Sequence, residues 1–129
     1  MDTTLEDQQL LPGGSYRGWA VPTRATLKKY GGDVASWAET IDRQGGVCPV
    51  CQKVPNPPKG APAGSGGRGV IDHEHARNWK AMLPALRWMY VRGVTCWFCN
   101  HSYLGRGITA EKAENAALYL RGYAARRPS

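Results

Sequence analysis

Apolar residues recur at helical spacing in three parts of the chain and at strand-like density in two. Val34, Trp37, Ala38 and Ile41 fall on one face of a helix over Val34 to Gln44, with Asp33 as its N-cap and Gly45-Gly46 as its stop. That face reads as core. A shorter helical turn is expected from Thr26 to Tyr30, ended by Gly31-Gly32. Thr109 caps a last amphipathic helix to about Tyr123, whose Ala113, Ala116, Ala117, Leu118, Leu120 and Tyr123 read as facing inward. Between these, Trp79, Met82, Leu83, Leu86 and Met89 also recur at helical spacing, but Pro84 interrupts them. Ala76 to Met89 is therefore expected to be irregular or short helix that fills core.

The two strand-like segments lie on either side of that stretch. Val70-Ile71 runs into Asp72-His73-Glu74-His75, where alternation places Asp72 and Glu74 on one face and His73 and His75 on the other. Tyr90-Val91-Arg92-Gly93-Val94 reads as a second strand that pairs with the first. Cys96 to Leu104 then reads as a helix with Asn100 in its early turns, ended by Gly105 and Gly107. The fold class expected is α+β. Residues 1–25 show no sustained period and are broken by Pro12, Gly13, Gly14, Gly18 and Pro22, which predicts a loosely ordered arm. Its Arg17, Trp19 and Arg24 would face nucleic acid, unless Trp19 packs back on the domain. Gln52 to Gly69 is dense in Pro, Gly and Ala and reads as a mobile surface loop. Its Lys53, Lys59 and Arg68 either follow a DNA backbone or contact nothing. The domain proper is expected over residues 26–125, with 126–129 as a basic tail.

Composition changes this picture in one respect. A chain of 129 residues with 42% hydrophobic content suits one domain. The net charge of +7 favours a polyanionic partner, although the same excess also serves solubility. No apolar run approaches the ~18 residues of a membrane span, and the acidic start Met1-Asp2-Thr3-Thr4-Leu5-Glu6-Asp7 is followed by no apolar leader segment. A soluble, cytoplasmic protein without a membrane partner is expected.

The cysteines carry the first chemistry. Cys48-x2-Cys51 and Cys96-x2-Cys99 are two chelating pairs, and both thiolates of such a pair can reach one tetrahedral ion. A structural zinc site made by all four is the expectation, with two disulfides or a redox pair as the other uses of such spacing. Bracketed by the pairs, His73 suits a general base because imidazole titrates near neutrality. Asp72 is a hard oxygen ligand and Asn100 a neutral one, a donor set suited to Mg2+. His75 would orient or protonate near a phosphate, or serve structure alone. Arg92 before the second cysteine pair and Arg106 after its helix stand where both would reach phosphates.

Strand with Asp-His, second strand, then helix with Asn is the order of the ββα-metal fold. The chain resembles the His-Asn-His nucleases and, most closely, the phage recombination endonuclease VII family. The match is carried by Cys48-x2-Cys51, Ile71-Asp72-His73-Glu74-His75 and Arg92-Gly93-Val94-x-Cys96-x2-Cys99-Asn100, followed by Leu104-Gly105. Lys29-Tyr30-Gly31 and Gln44-Gly45-Gly46-Val47-Cys48 are similar to the family's lead-in. The resemblance implies a DNA endonuclease, encoded by a phage and acting in the host cytoplasm. It also implies cutting of branched DNA such as Holliday junctions as a homodimer, with zinc for structure and Mg2+, replaceable by Mn2+, for catalysis. A nicking or general endonuclease, or a zinc-knuckle DNA-binding protein without catalysis, are the competing functions. The chain departs from the family prototype in having Tyr103 where a carboxylate stands one turn after the Asn, and in the length of its segment between His75 and Arg92.

Overall fold

The computed structural model of the chain describes residues 11–74 and 78–126. Strands β1 (Ser15–Tyr16) and β2 (Trp19–Ala20) form an antiparallel hairpin near its start. Trp19 is fully buried, and its indole Nε1 donates to the carbonyl of Gly46 at 2.8 Å. The hairpin is thus part of the core, not a loose arm. An indole has a large apolar area and only one polar group to satisfy, and Gly46 supplies that acceptor. Arg17 turns to the same place, donating to Asp42 at 3.0 Å and to the Gly45 carbonyl at 3.2 Å.

Helix α1 (Arg24–Lys29) is capped by the Thr23 hydroxyl. Helix α2 (Val34–Arg43) follows, capped by Asp33, whose Oδ1 accepts from the Ser36 N–H at 2.8 Å. The predicted face holds: Trp37, Ala38 and Ile41 are buried with Thr40, and Val34 packs at the edge. They meet Trp19, Leu27, Ile71, Val94, Cys48 and Cys99 in one cluster.

The loop after α2 has no regular element until Gly67, which is hydrogen-bonded to Gly18 and Ala20 and so ties the end of the loop to the hairpin. Strand β3 (Gly69–His73) then leads to a 3-10 turn (Trp79–Ala81), helix α3 (Pro84–Arg87), a second 3-10 turn (Trp88–Tyr90) and strand β4 (Val91–Cys96). The expectation that residues 76–89 fill core needs correction, because Leu83, Leu86 and Met89 are exposed. Pro84 restarts the backbone, so the helical spacing is never realised on one face. Of the described residues of that stretch, Trp88 packs on the core. Gly31 has a positive φ and lies so close to this segment that a Cβ there would run into the Pro84 carbonyl oxygen.

Strands β3 and β4 pair antiparallel, with Ile71 opposite Val94 and Asp72 opposite Gly93. The register then slips, and His73 stands opposite Val91. Arg92 is left as the extra residue of a bulge. Helix α4 (Trp97–Ser102) starts directly from β4 with Cys96 as its N-cap, completing a strand–strand–helix unit. A 3-10 turn (Leu104–Arg106) and helix α5 (Ala110–Arg126) close the described chain. Thr109 caps α5 as expected, accepting from the Lys112 N–H. No residue of α5 is buried, however, and Leu118, Tyr119, Leu120 and Tyr123 remain exposed. The inward face read for it has no element of the described chain packed over it. The fold class is α+β, and no helix among the described residues is long and apolar enough to cross a membrane.

One side chain holds β4 to α2. Gln44 Oε1 accepts from the Val94 N–H at 2.7 Å, and its Nε2 donates to the Val94 and Val47 carbonyls at 2.8 and 3.2 Å. Val94 is 1% exposed, so its backbone groups have little access to water. Gln44→Ala should therefore cost about 2 kcal/mol, since a buried donor and acceptor lose their partners together. Thermal melting will read this as a drop of several degrees, and an unchanged midpoint would mean that the two groups find other partners.

Candidate functional site

The four cysteines come from two places, the turn after α2 and the junction of β4 with α4, and their sulfurs all lie within 4.8 Å of one another. Cys51 and Cys96 are 3.9 Å apart. Around a tetrahedral zinc with bonds of ~2.3 Å, sulfur–sulfur edges of ~3.8 Å are required, so the set fits zinc. All four are free thiols, with Cys48 and Cys99 buried and Cys51 and Cys96 half-buried. Backbone N–H groups point at the sulfurs: Cys96 N–H to Cys48 Sγ and Cys99 N–H to Cys96 Sγ, both at 3.4 Å. Burial raises the Cys48 pKa, but N–H donors from Cys51, Cys96 and Val50 outweigh it and bring the value to about 7. Burial pushes the Cys51 and Cys99 thiols up.

The strand–strand–helix unit beside this cluster carries the acid. Asp72 is 4% exposed, and a carboxylate so enclosed needs polar partners. Arg92 meets it with two parallel bonds, Nε to Oδ2 at 2.8 Å and Nη2 to Oδ1 at 2.9 Å. Asn100, in the second half of α4, donates its Nδ2 to Asp72 Oδ1 at 3.2 Å. The amide thus presents nitrogen to the acid, where the expected ligand role needs its oxygen. Two oxygens would repel each other with no cation between them. A carboxylate and an amide at this distance are hard donors of the kind Mg2+ takes. The pair fits such an ion on condition that Arg92 gives up at least one carboxylate oxygen and the amide turns over.

His73 leaves β3 next to Asp72, but its ring belongs to a different cluster. It stacks on Trp79 with centroids 4.1 Å apart, and Tyr30 lies tilted at 5.5 Å. These three residues, with Lys29, Lys80 and Arg87, line a cavity of about 440 Å³. Arg87 also donates to the Lys29 and Lys80 carbonyls and lies 5.6 Å from the Trp79 ring, which ties α1 to the segment before β4. Burial raises the Tyr30 pKa, so its phenol stays neutral near pH 7. Three cationic side chains thus line the concave site that also holds the half-buried imidazole.

The remaining candidates are spread out. Arg106 and Arg68 are exposed, the first in the 3-10 turn after α4 and the second just before β3. Arg92 is engaged by Asp72 and does not stand clear as a phosphate contact. His75 lies outside the described residues. Tyr103 caps the C-terminus of α4 and meets Phe98 edge-on, and His101 stacks on Trp97. The reading from sequence missed Trp79, Tyr30 and the cations Lys29, Lys80 and Arg87 beside His73. Trp79 had been given to the core by its spacing, and only the packing of α1 against the segment before β4 brings the other four to the histidine.

Comparison with known proteins gives one result. A family model described as recombination endonuclease VII matches residues 23–122, which covers both cysteine pairs, Asp72, His73 and Asn100. No curated protein and no solved structure matches.

Proposed function

The chain belongs to the recombination endonuclease VII family, and from that premise we propose that it is a metal-dependent DNA endonuclease of His-Asn-His type that resolves branched DNA. What carries the reading is that His73, in a cavity lined by Lys29, Lys80 and Arg87, adjoins the Asp72–Asn100 pair on a strand–strand–helix unit fastened by four cysteines.

In this reading His73 takes a proton from a water molecule, whose oxygen forms a bond to the scissile phosphorus. The bond from phosphorus to the 3′-oxygen breaks, and that oxygen leaves with a proton from solvent. Trp79 and Tyr30 keep the imidazole from swinging away. Lys29, Lys80 and Arg87 oppose the negative charge that grows on the phosphate. Asp72 and Asn100 would hold a divalent cation, Mg2+ or Mn2+, which would supply Lewis-acid stabilisation of the charge that develops in the reaction. Zinc stays at the cysteines as a structural ion. Arg68 and Arg106 contact the DNA backbone, which positions the duplex without reading its sequence. Paired cuts across a junction require two sites and hence a homodimer.

The test is to offer the zinc-loaded protein a labelled four-way junction and a linear duplex of the same sequence, in Mg2+ and in EDTA. Symmetric cuts in the junction that disappear in EDTA are expected. Equal nicking of both substrates would remove the junction preference and leave a general endonuclease. Absence of cation-dependent cutting would leave a zinc-knuckle DNA-binding protein.

A further inference from the structure

We propose that Arg92 is a resident counter-ion of the catalytic acid, one that must leave Asp72 for a divalent cation to be held and that then turns to the substrate phosphate. This rests on the metal-dependent reading above and adds a coupling between cation uptake and DNA binding.

Three observations carry it. The first is the bulge. Asp72 pairs with Gly93, so in a regular ladder the residue next to Gly93 would point to the opposite face. The slip in register between Asp72 and His73 makes Arg92 the extra residue, and its guanidinium comes round to the face of Asp72. The second is how completely it covers the acid. A carboxylate has about four acceptor positions, and Arg92 with Asn100 fills three of them. The position left open, on Oδ2, lies beside the guanidinium, so a cation drawn to it meets an adjacent positive charge unless the arginine moves. The third is the asymmetry of burial. The Asp72 side chain is 5% exposed and that of Arg92 is 43% exposed. The acid is enclosed, whereas the arginine is partly open to solvent and has the freer side chain of the two.

The consequence is an exchange of partners. With no cation, Arg92 neutralises the buried carboxylate. With a cation held by Asp72, the arginine is released as a fixed positive charge at the rim of the site, where a phosphate is its natural partner. Cation and DNA should therefore each favour the binding of the other.

The experiment is calorimetric titration of Mn2+ into zinc-loaded protein, alone and with a junction whose phosphates are replaced by uncleavable phosphorothioates. Wild type is compared with Arg92→Gln, Arg92→Lys and Asp72→Asn. Arg92→Gln should bind Mn2+ roughly tenfold more tightly than wild type, the size expected for losing a charge-assisted two-bond competitor. DNA should tighten Mn2+ binding in the wild type and no longer do so in this variant. Arg92→Lys, which keeps the charge but not the planar fork, should lie between the two and serves if the glutamine variant does not fold. Unchanged or weaker Mn2+ binding in a folded Arg92 variant overturns the proposal. If instead Asp72→Asn binds Mn2+ as well as wild type does, Asp72 is not a cation ligand and the metal-dependent reading itself fails.

Discussion

His73→Ala is expected to lower cleavage by about 10³-fold, within the range that a positioned acid–base group contributes, while junction binding stays within about twofold. The side chain is half-buried against Trp79 and Tyr30 and is not one of the residues that make the core. Its removal leaves Lys29, Lys80 and Arg87, which line the cavity, in place. Affinity for DNA depends mainly on such charges through release of counterions, so it should survive the loss of a base. Cutting under single-turnover conditions and binding in Ca2+ or EDTA measure the two effects separately. If both fall together, with the melting temperature unchanged, His73 is a binding residue and the proton must be taken elsewhere. Restored cutting on addition of imidazole would support the base directly.

Cys48→Ser and Cys99→Ser should each abolish cooperative folding. Both side chains are buried, at 0% and 2% exposed, and belong to the same cluster as Trp37, Ile41 and Val94. They also join parts of the chain far apart in sequence, the turn after α2 and the start of α4. Binding energy at a structural zinc of this type is on the order of 10–16 kcal/mol, which is as large as the whole stability of a typical domain. Losing a ligand therefore removes most of what keeps this small core closed. Native mass spectrometry should show one zinc per wild-type chain, and strong chelation should reproduce the effect of the variants. A serine variant that melts cooperatively at the wild-type temperature, or a wild-type mass lower by four protons with no zinc, would replace the zinc site with disulfides.

Much of the site could be read in advance because its parts are local. Asp33 with its helix face and each C-x2-C pair depend on spacing within a few residues, and such spacing determines which side chains share a face or a chelate. What could not be read depends on long-range contact. Trp19 looked like part of an arm because a strand of two residues has no period to detect, and its burial is decided by a carbonyl 27 residues away. The side chains of α5 looked inward by pattern, but a pattern names a face without saying what covers it. The pairing of Arg92 with Asp72 hinges on one slip in register, and an arginine before a glycine in a strand gives no sign of it. The same holds for the ring around His73, which two separate segments assemble.

The clasp of Gln44 on Val94 has a further effect, on how this protein behaves among its own copies. Among the described residues the ribbon of β3 and β4 has two strands, so no third strand pairs with the outer side of β4. Strand edges that are left open to solvent recruit strands from other molecules and start aggregates. The glutamine amide imitates a peptide group of that missing neighbour, taking both the N–H and the C=O that an intruding strand would need first. A single side chain thereby occupies the place on β4 that a strand from another molecule would take.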